Sequence, residues 1–215
     1  MSDMSMSNIT YKHYTGSPVF PFGFGLSYSQ WQVQWHTEPA GTEQVAGVGR
    51  RGPQHRTVST AAMHASLGRY YEARASGDAG WRSPASYSAT VTNVGAVASD
   101  YVLLGFVSSP ARRIADPQEP IRELFDFARV SLAPHASTTV HLSLPAAVLS
   151  HVDERGDERL LAGNYTIELG GEWLGDSAAA ALVGNLELTG ADKLLFSLSG
   201  VRQARQRSAR TTPRG

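Results

Sequence analysis

Residues 19–28, Val-Phe-Pro-Phe-Gly-Phe-Gly-Leu-Ser-Tyr, form an aromatic and glycine-rich run near the start of the chain. Pro21 fixes one backbone angle, while Gly23 and Gly25 allow backbone conformations that other residues avoid. The phenylalanines between them offer a large apolar area for burial in a shaped loop. Strand-like alternation begins after Leu26, so we interpret residues 19–28 as a connector between two structural units. On the residues alone, a turn-rich core loop of an all-β protein fits as well.

The sequence beyond this connector alternates apolar and polar residues in the manner of half-buried strands. Trp31, Val33 and Trp35 alternate with glutamines, which predicts a strand with one apolar face. Six or seven short strands with turns between them, and no long amphipathic helix, predict an all-β fold, an antiparallel sandwich of immunoglobulin-like architecture. The later candidate strands centre on Tyr87–Val91, Asp100–Val107, Phe125–Leu132 (with a bulge between Phe127 and Val130), Val140–Leu144, Tyr165–Leu169 and Leu186–Leu188.

Two stretches depart from this pattern. Residues 37–84 contain many glycines and scattered arginines and histidines, and a short helix around residues 57–71 is compatible with the alanines there. We predict that residues 37–84 are a long irregular surface insertion, at least partly disordered, because such a loop is unusual inside a compact domain. Residues 200–215 carry five arginines and no acidic residue, which predicts a flexible basic tail.

Composition excludes several classes of function. The 215 residues include 19 basic and 19 acidic side chains, so no overall field favours nucleic acid or an anionic membrane as a partner. The absence of cysteine excludes disulfides, zinc–thiolate sites and cysteine nucleophiles. No apolar run reaches the roughly 18 residues of a membrane span. Residues 1–6 do not have the pattern of a signal peptide, so the protein is either cytosolic or lacks its true beginning.

An acidic cluster beside His151 is the best candidate for chemistry. Paired carboxylates can act as the acid and nucleophile of a glycosidase, and a histidine beside a carboxylate can bind a metal. These residues lie in one short polar turn, where they normally face water, and nothing nearby predicts the burial that tunes a catalytic carboxyl. We therefore predict no catalytic, cofactor-binding or metal-binding residue in this chain. The acidic residues are Asp153, Glu154, Asp157 and Glu158.

Three further motifs carry little weight. Residues 47–52 fit the G-x-G-x-x-G pattern, but Pro53 follows and no strand–helix–strand context surrounds it, so we predict a loop without a phosphate site. No G-x-S-x-G elbow is present, and His141 is predicted on the solvent face of a strand. Asn8 and Asn164 fit the acceptor pattern for N-glycosylation, which is short and common.

Residues 20–28, Phe-Pro-Phe-Gly-Phe-Gly-Leu-Ser-Tyr, resemble the signature with which glycoside hydrolase family 3 enzymes (β-glucosidases and β-xylosidases) leave their α/β sandwich domain and enter a C-terminal fibronectin type III-like domain. Further segments resemble the family in the same order, and together they cover most of residues 1–36 and 86–171. They are residues 1–6 and 11–16, Ala89–Gly95, Arg122–Val130 with Leu132–Pro134, and Ala162–Ile167 with Leu169–Gly170.

The resemblance implies a domain organisation. Residues 1–25 would be the end of the preceding domain and the connector, and residues 26–190 the fibronectin type III-like domain with residues 37–84 as its insertion. The basic flexible tail, residues 191–215, has no counterpart in the family. Family members are retaining glycosidases whose two catalytic carboxyls lie about 5 Å apart. Neither catalytic motif occurs here, so no catalytic residue can be assigned and the chain alone is expected to be inactive. It is expected to be a structural fragment whose partners are the catalytic domains of a secreted or extracellular parent.

Two other classes of function remain open. A carbohydrate-binding module needs an exposed aromatic platform, for which the four tryptophans Trp31, Trp35, Trp81 and Trp173 are candidates. The alternation of Trp31 and Trp35 with Val33 favours the core for those two. An interaction domain would use the basic tail for contact, and its binding would weaken with salt.

Overall fold

The computed structural model describes seven ranges of the chain: residues 9–20, 22–36, 48–50, 54–78, 80–109, 119–170 and 181–198. Strands predominate in them. The helices are α1 (Thr10–His13), α2 (Thr60–Ser76) and a 3-10 turn (Ala146–Leu149). The strands are β1 (Trp31–Trp35), β2 (Val48–Arg50), β3 (His55–Ser59), β4 (Ser86–Asn93), β5 (Ser99–Ser108), β6 (Glu123–Leu132), β7 (Ser137–Ser143), β8 (Ser150–Val152), β9 (Glu158–Leu160), β10 (Gly163–Gly170), β11 (Leu182–Thr189) and β12 (Lys193–Phe196).

Two sheets enclose one core, as the alternation predicts. A three-stranded sheet has the order β1-β4-β7, and a six-stranded sheet has the order β2-β3-β11-β10-β5-β6. Tyr87, Ala89 and Val91 of β4 are fully buried and belong to the same apolar cluster as Ile167 of β10 and Leu186 of β11. A third, small sheet in the order β12-β9-β8 completes the fold. The prediction of an all-β sandwich is confirmed.

A bulge interrupts the pairing of β5 with β6. Gly105 pairs with Asp126 and Phe106 pairs with Leu124, so Phe125 is the extra residue of β6. The alternation predicted this irregularity two residues later, between Phe127 and Val130. The difference arises because Phe125 points into the core while Phe127 points outward. The pattern of apolar residues does not show which of the two phenylalanines faces the core.

The prediction for residues 37–84 is wrong for the part that the structure describes. β3 pairs in parallel with β11 and antiparallel with β2, so this segment widens the large sheet. α2 follows without a break, and the Ser59 hydroxyl accepts a hydrogen bond from Ala62 N at 3.1 Å as its N-cap. The short helix that the alanines allowed around residues 57–71 is therefore present, but it begins at Thr60 and extends to Ser76. Its only buried residues are Thr60, Met63 and Ser66, so the sequence shows no broad apolar face that would have predicted its full length.

The beginning of the predicted tail is also ordered. Lys193–Phe196 form β12, which pairs with β9, so residues 191–198 are part of the fold and not of a flexible segment. Thr60 Oγ1 donates a hydrogen bond of 2.7 Å to Ala191 O and ties this region to α2. Its arginines belong to residues 199–215, outside the described ranges. No described helix combines the length and apolar character needed to cross a bilayer.

Candidate functional site: the aromatic connector and the Trp81 cleft

The connector is a shaped loop whose apolar side chains face outward. Gly23 and Gly25 have φ values of 90° and 73°, in the left-handed region that favours glycine. Phe20 is 68% exposed and Tyr28 is 96% exposed, and other apolar side chains between them are also exposed. Pro21 lies outside the described residues. The connector therefore presents an apolar surface on a defined backbone. The exposed apolar residues of this surface are Val19, Phe20, Phe22, Phe24, Leu26 and Tyr28.

The N-terminal end of the connector is held by stacked rings. Phe22 stacks on Tyr11 with ring centroids 4.4 Å apart, and Tyr11 meets the edge of Phe106 of β5 at 5.8 Å. Lys12 forms an ion pair of 2.8 Å with Glu123 at the start of β6. These contacts fix the segment before the connector on the β5–β6 edge of the large sheet.

Arg122 lies beneath this aromatic group. Its side chain is only 4% exposed, its guanidinium lies 4.8 Å from the centre of the Phe106 ring, and its Nη1 lies 3.7 Å from Glu168 Oε2. Burial lowers the pKa of Arg122, while the Glu168 carboxylate opposes this effect. The geometry is that of a cation packed on aromatic faces, which stabilises the arrangement of the rings.

The C-terminal end of the connector is held by hydrogen bonds. Trp31 Nε1 donates to Ser27 Oγ at 2.6 Å, and Ser29 Oγ donates to Asn93 Oδ1 at 2.7 Å. The Asn93 amide donates in turn to the carbonyl oxygens of Val97 and Leu132 at 2.8 and 3.1 Å. The backbone of the connector is therefore held on both sides of Phe24.

The tryptophans divide into core and surface positions. Trp31 is buried with its ring centroid 4.9 Å from that of Tyr101, and Trp35 packs against the core beside Tyr87. Both therefore stabilise the sandwich, as the alternation indicated. Trp81 is half-buried at the surface, and Trp173 lies outside the described residues.

Trp81 lines a cleft of about 620 Å³ between the C-terminal half of α2 and strands β6 and β7, which we name the Trp81 cleft. Its ring packs on Tyr70 at 5.2 Å between centroids. The opposite wall carries the outward-facing ring of Phe127, which is 63% exposed. The complete lining is Tyr70, Ala73, Arg74, Gly77, Asp78, Trp81, Arg82, Phe125, Asp126, Phe127, Ala128, His141, Ser143 and Pro145.

Charged groups of both signs line the cleft. Arg74 Nη1 donates to Tyr70 Oη at 3.1 Å. The two oxygens of Asp126 accept hydrogen bonds of 2.8 Å, one from Phe127 N and one from Ser143 N. His141 is exposed, as predicted, and its Nδ1 lies 2.8 Å from Ser88 Oγ. Sequence reasoning named Trp81 but not this cleft, because the cleft depends on how α2 lies beside β6 and β7 and on residues of α2 beyond the expected end at residue 71.

The acidic turn differs from its prediction at two residues. His151 is buried, with Nδ1 2.5 Å from Glu119 Oε1, and Asp157 is buried, with Oδ1 accepting from Ser197 Oγ at 3.1 Å. Both were expected to face water. His151 is buried where it meets Glu119, and Asp157 is buried where it meets Ser197, the residue that follows β12.

Asp153 shapes the turn of this hairpin. Its Oδ1 accepts hydrogen bonds from Asp157 N at 3.0 Å and from Arg155 N at 2.9 Å. These backbone N–H groups, that of Asp157 first, lower the pKa of the Asp153 carboxyl. Glu154 is exposed and Glu158 is half-buried. The described contacts of Asp153 are thus those of a structural turn residue.

The remaining candidate motifs show no assembled site in the described ranges. No group of three or more metal-ligating side chains occurs among those residues. Of the G-x-G-x-x-G segment, Val48–Arg50 form a strand antiparallel to β3, while Gly47, Arg51 and Gly52 lie outside the described residues. Asn164 is exposed at the start of β10, and Asn8 lies outside the described ranges.

Comparison with known proteins connects this geometry to a family. The sequence model of the fibronectin type III-like domain matches residues 102–173, which span β5 to β10. Curated relatives include the exo-1,4-beta-xylosidase bxlB of Emericella nidulans, 31% identical over 160 residues, and the probable exo-1,4-beta-xylosidase bxlB of Aspergillus flavus, 32% identical over 164 residues. Each match covers 74% of this chain but only 17% and 18% of the relative.

Solved structures agree on the fold. A GH3 exo-beta-xylosidase (XlnD) in complex with a xylobiose aziridine probe aligns with a TM-score of 0.60 and 21% identity, over 91% of this chain and 23% of that protein. A GH3 beta-glucosidase from Bifidobacterium adolescentis aligns with a TM-score of 0.51 and 22% identity, over 82% of this chain and 20% of that protein. The chain is therefore related in sequence to exo-1,4-beta-xylosidases, its residues 102–173 belong to the fibronectin type III-like domain family, and its fold is that of part of the GH3 β-xylosidase and β-glucosidase structures.

Proposed function

We propose that this chain is an accessory, structural β-sandwich of a family 3 glycoside hydrolase acting on β-xylosides or β-glucosides. In this role it packs on the catalytic domains of the larger protein through the connector, residues 19–28. The observation that carries the proposal is the exposure of the connector's aromatic side chains on a backbone held at both ends. The relatives support it because each is several times longer than the segment that this chain matches.

The energetics favour a covered connector. A contiguous apolar surface of this kind is uncommon on an isolated domain and normally marks a contact with another protein surface. Phe20 and Phe24 pack on each other with ring centroids 5.0 Å apart, so they would enter a partner surface as a preformed unit. Preorganised aromatic anchors lose little conformational entropy on binding.

The carboxylates near His151 support a structural role and not a catalytic one. Retaining hydrolysis needs a nucleophile and an acid on either side of the scissile bond. Asp153 accepts backbone hydrogen bonds within its own turn, and Asp157 is buried against Ser197. Neither arrangement leaves a carboxyl poised at an open substrate site, so we expect no hydrolysis by this chain alone.

The experiment replaces the matching region of the Emericella nidulans xylosidase by this chain. We expect the chimera to fold and to hydrolyse an aryl β-xyloside. Phe20→Ser with Phe24→Ser should lower the Tm of the chimera. Val152→Ser, which changes an exposed apolar side chain of β8, is the matched control and should leave the Tm unchanged. The proposal would be overturned if the connector variant and the parent chimera had equal Tm values. It would also be overturned if this chain alone released nitrophenol from a nitrophenyl β-xyloside.

Polysaccharide binding is a second candidate function. The observation that favours it is the Trp81 cleft, which places the half-buried rings of Trp81 and Tyr70 and the exposed ring of Phe127 beside hydrogen-bonding groups. The cleft lies between α2 and strands β6 and β7, and none of its lining residues belongs to the connector. The two functions therefore use different surfaces and can be tested separately.

A further inference from the structure

We propose that the Trp81 cleft is a binding site for an uncharged oligosaccharide of β-linked pyranose units. The inference rests on the second candidate function and assigns it to specific residues. α2 and Trp81 both lie outside residues 102–173, the range matched by the fibronectin type III-like model, so one side of the cleft lies outside that matched range while the β6 and β7 side lies within it.

The aromatic walls fit the apolar faces of pyranose rings. In β-linked xylose and glucose units the hydroxyl groups are equatorial, so the axial C–H groups form apolar faces that pack on aromatic rings. Trp81 and Tyr70 form one wall, with their ring planes inclined at 56° to each other. Phe127 forms the other wall from an outward position of β6, where a large exposed apolar ring has no role in the core. The cleft volume of about 620 Å³ is within the usual range for small-ligand sites.

The polar groups fit the hydroxyl groups at the rim of such a ring. Asp126 accepts two backbone hydrogen bonds, which fix its orientation, and a carboxylate has about four lone-pair positions in all. Arg74 is held by Tyr70 Oη, and its planar guanidinium carries five N–H donors. The Asp126 carboxylate can accept hydrogen bonds from sugar hydroxyls, and the Arg74 guanidinium can donate to them, within the same cleft.

The balance of charge selects an uncharged ligand. Arg74 and Arg82 line the cleft together with Asp78 and Asp126, so the formal charges cancel. A nucleic acid or an acidic sugar would need an excess of cations. An amphipathic peptide helix would need an apolar groove, whereas this cleft has four charged side chains among its walls. A neutral ligand with many hydroxyl groups can pack its C–H faces on the aromatic rings and form hydrogen bonds with the charged side chains of both signs.

The experiment titrates the whole chain with xylohexaose and with cellohexaose and measures affinity by calorimetry. We expect Trp81→Ala to weaken binding about tenfold or more, which is the loss expected when one aromatic contact is removed. Trp81→Phe should recover part of the affinity, because it restores a ring. Tyr28→Ala is the matched control, since it removes the most exposed aromatic side chain of the connector, and it should bind as the parent chain does. Circular dichroism confirms that each variant is folded.

Each contrary result has its own meaning. If the parent chain binds neither hexasaccharide, both the assignment of the Trp81 cleft as a binding site and the polysaccharide-binding function are overturned. The proposed packing on catalytic domains is not affected by that result. Binding that is equal in the parent and in Trp81→Ala overturns only the assignment to the cleft. Binding that is confined to glucuronate-substituted xylan and disappears with added salt overturns the inference that the ligand is uncharged.

Discussion

Gly105 of β5 and Phe125 of β6 are in such close contact that a side chain at position 105 has no room. A Cβ atom built on Gly105 would lie 2.6 Å from Phe125 Cζ and 3.0 Å from Leu142 Cδ1. Phe125 is the extra residue of the β6 bulge, and Gly105 pairs with its neighbour Asp126. The absent side chain at 105 thus lets the bulged phenylalanine turn into the space between the two sheets.

The first prediction concerns this contact. Gly105→Ala should destabilise the chain by about 1–3 kcal/mol, because the added methyl group overpacks a filled core. Urea unfolding of the variant and the parent measures the difference in the free energy of unfolding. In a Phe125→Leu background the same substitution should be less destabilising, since the ring atoms that clash are gone. An equal loss in both backgrounds would show that the contact is not the cause.

The second prediction concerns α2. Gly68 is exposed within the helix, and a Cβ built there meets no atom within 4 Å apart from its chain neighbours and the backbone of the helix itself. Gly68→Ala should therefore stabilise the chain by about 0.5–1 kcal/mol, because alanine loses less backbone entropy in a helix than glycine does. The measurement is again urea unfolding. A neutral or destabilising effect would contradict the helical structure of residues 60–76.

The third prediction tests whether β3 is an integral strand. Arg56 of β3 is 6% exposed, and its Nε donates to Ser86 O of β4 at 2.9 Å, so it links the two sheets. Its guanidinium also lies 5.7 Å from the centre of the Tyr87 ring, and burial raises the pKa of Tyr87. Arg56→Met should destabilise the chain by about 1.5–3 kcal/mol through loss of a charged hydrogen bond.

Arg56→Lys is the control for this variant. It keeps the charge but loses the planar donor group, so its thermal stability should fall between that of the parent and that of Arg56→Met. If both variants melt as the parent does, β3 does not contribute to the cooperative fold.

The fourth prediction concerns pH. Hydrogen bonds from Asp157 N and Arg155 N lower the pKa of Asp153 in the folded chain. The stabilisation that this carboxylate gives is present above its unfolded pKa of about 3.9 and is lost as the pH falls through the lower folded value. Asp153→Asn keeps an acceptor oxygen but does not titrate.

We therefore expect the parent chain to lose more stability than Asp153→Asn on acidification below about pH 4. Tm values measured across this range give the comparison, and the other carboxyls titrate in both proteins and cancel. Parallel Tm profiles would contradict the role assigned to Asp153 in the turn.

The sequence by itself determined the sandwich and the shape of the connector. Tyr87, Ala89 and Val91 alternate with polar residues, as do Tyr165, Ile167 and Leu169, and all six apolar side chains are buried. This could be predicted because the two-residue period of a strand is a local property of the backbone. The glycines of the connector, at positions 23 and 25, likewise have the positive φ values that their residue type suggested.

Only the tertiary structure decided the parts that depend on distant residues. β3 becomes a strand by pairing in parallel with β11, far along the chain, and α2 is fixed by packing of Met63 in the core and by Thr60 on Ala191. The Trp81 cleft exists because this helix lies beside β6 and β7, so Trp81 alone could not predict it. A segment with weak local periodicity can still form a strand or helix when burial and hydrogen bonding to distant strands stabilise it. The pattern of neighbouring residues does not reveal those distant contacts.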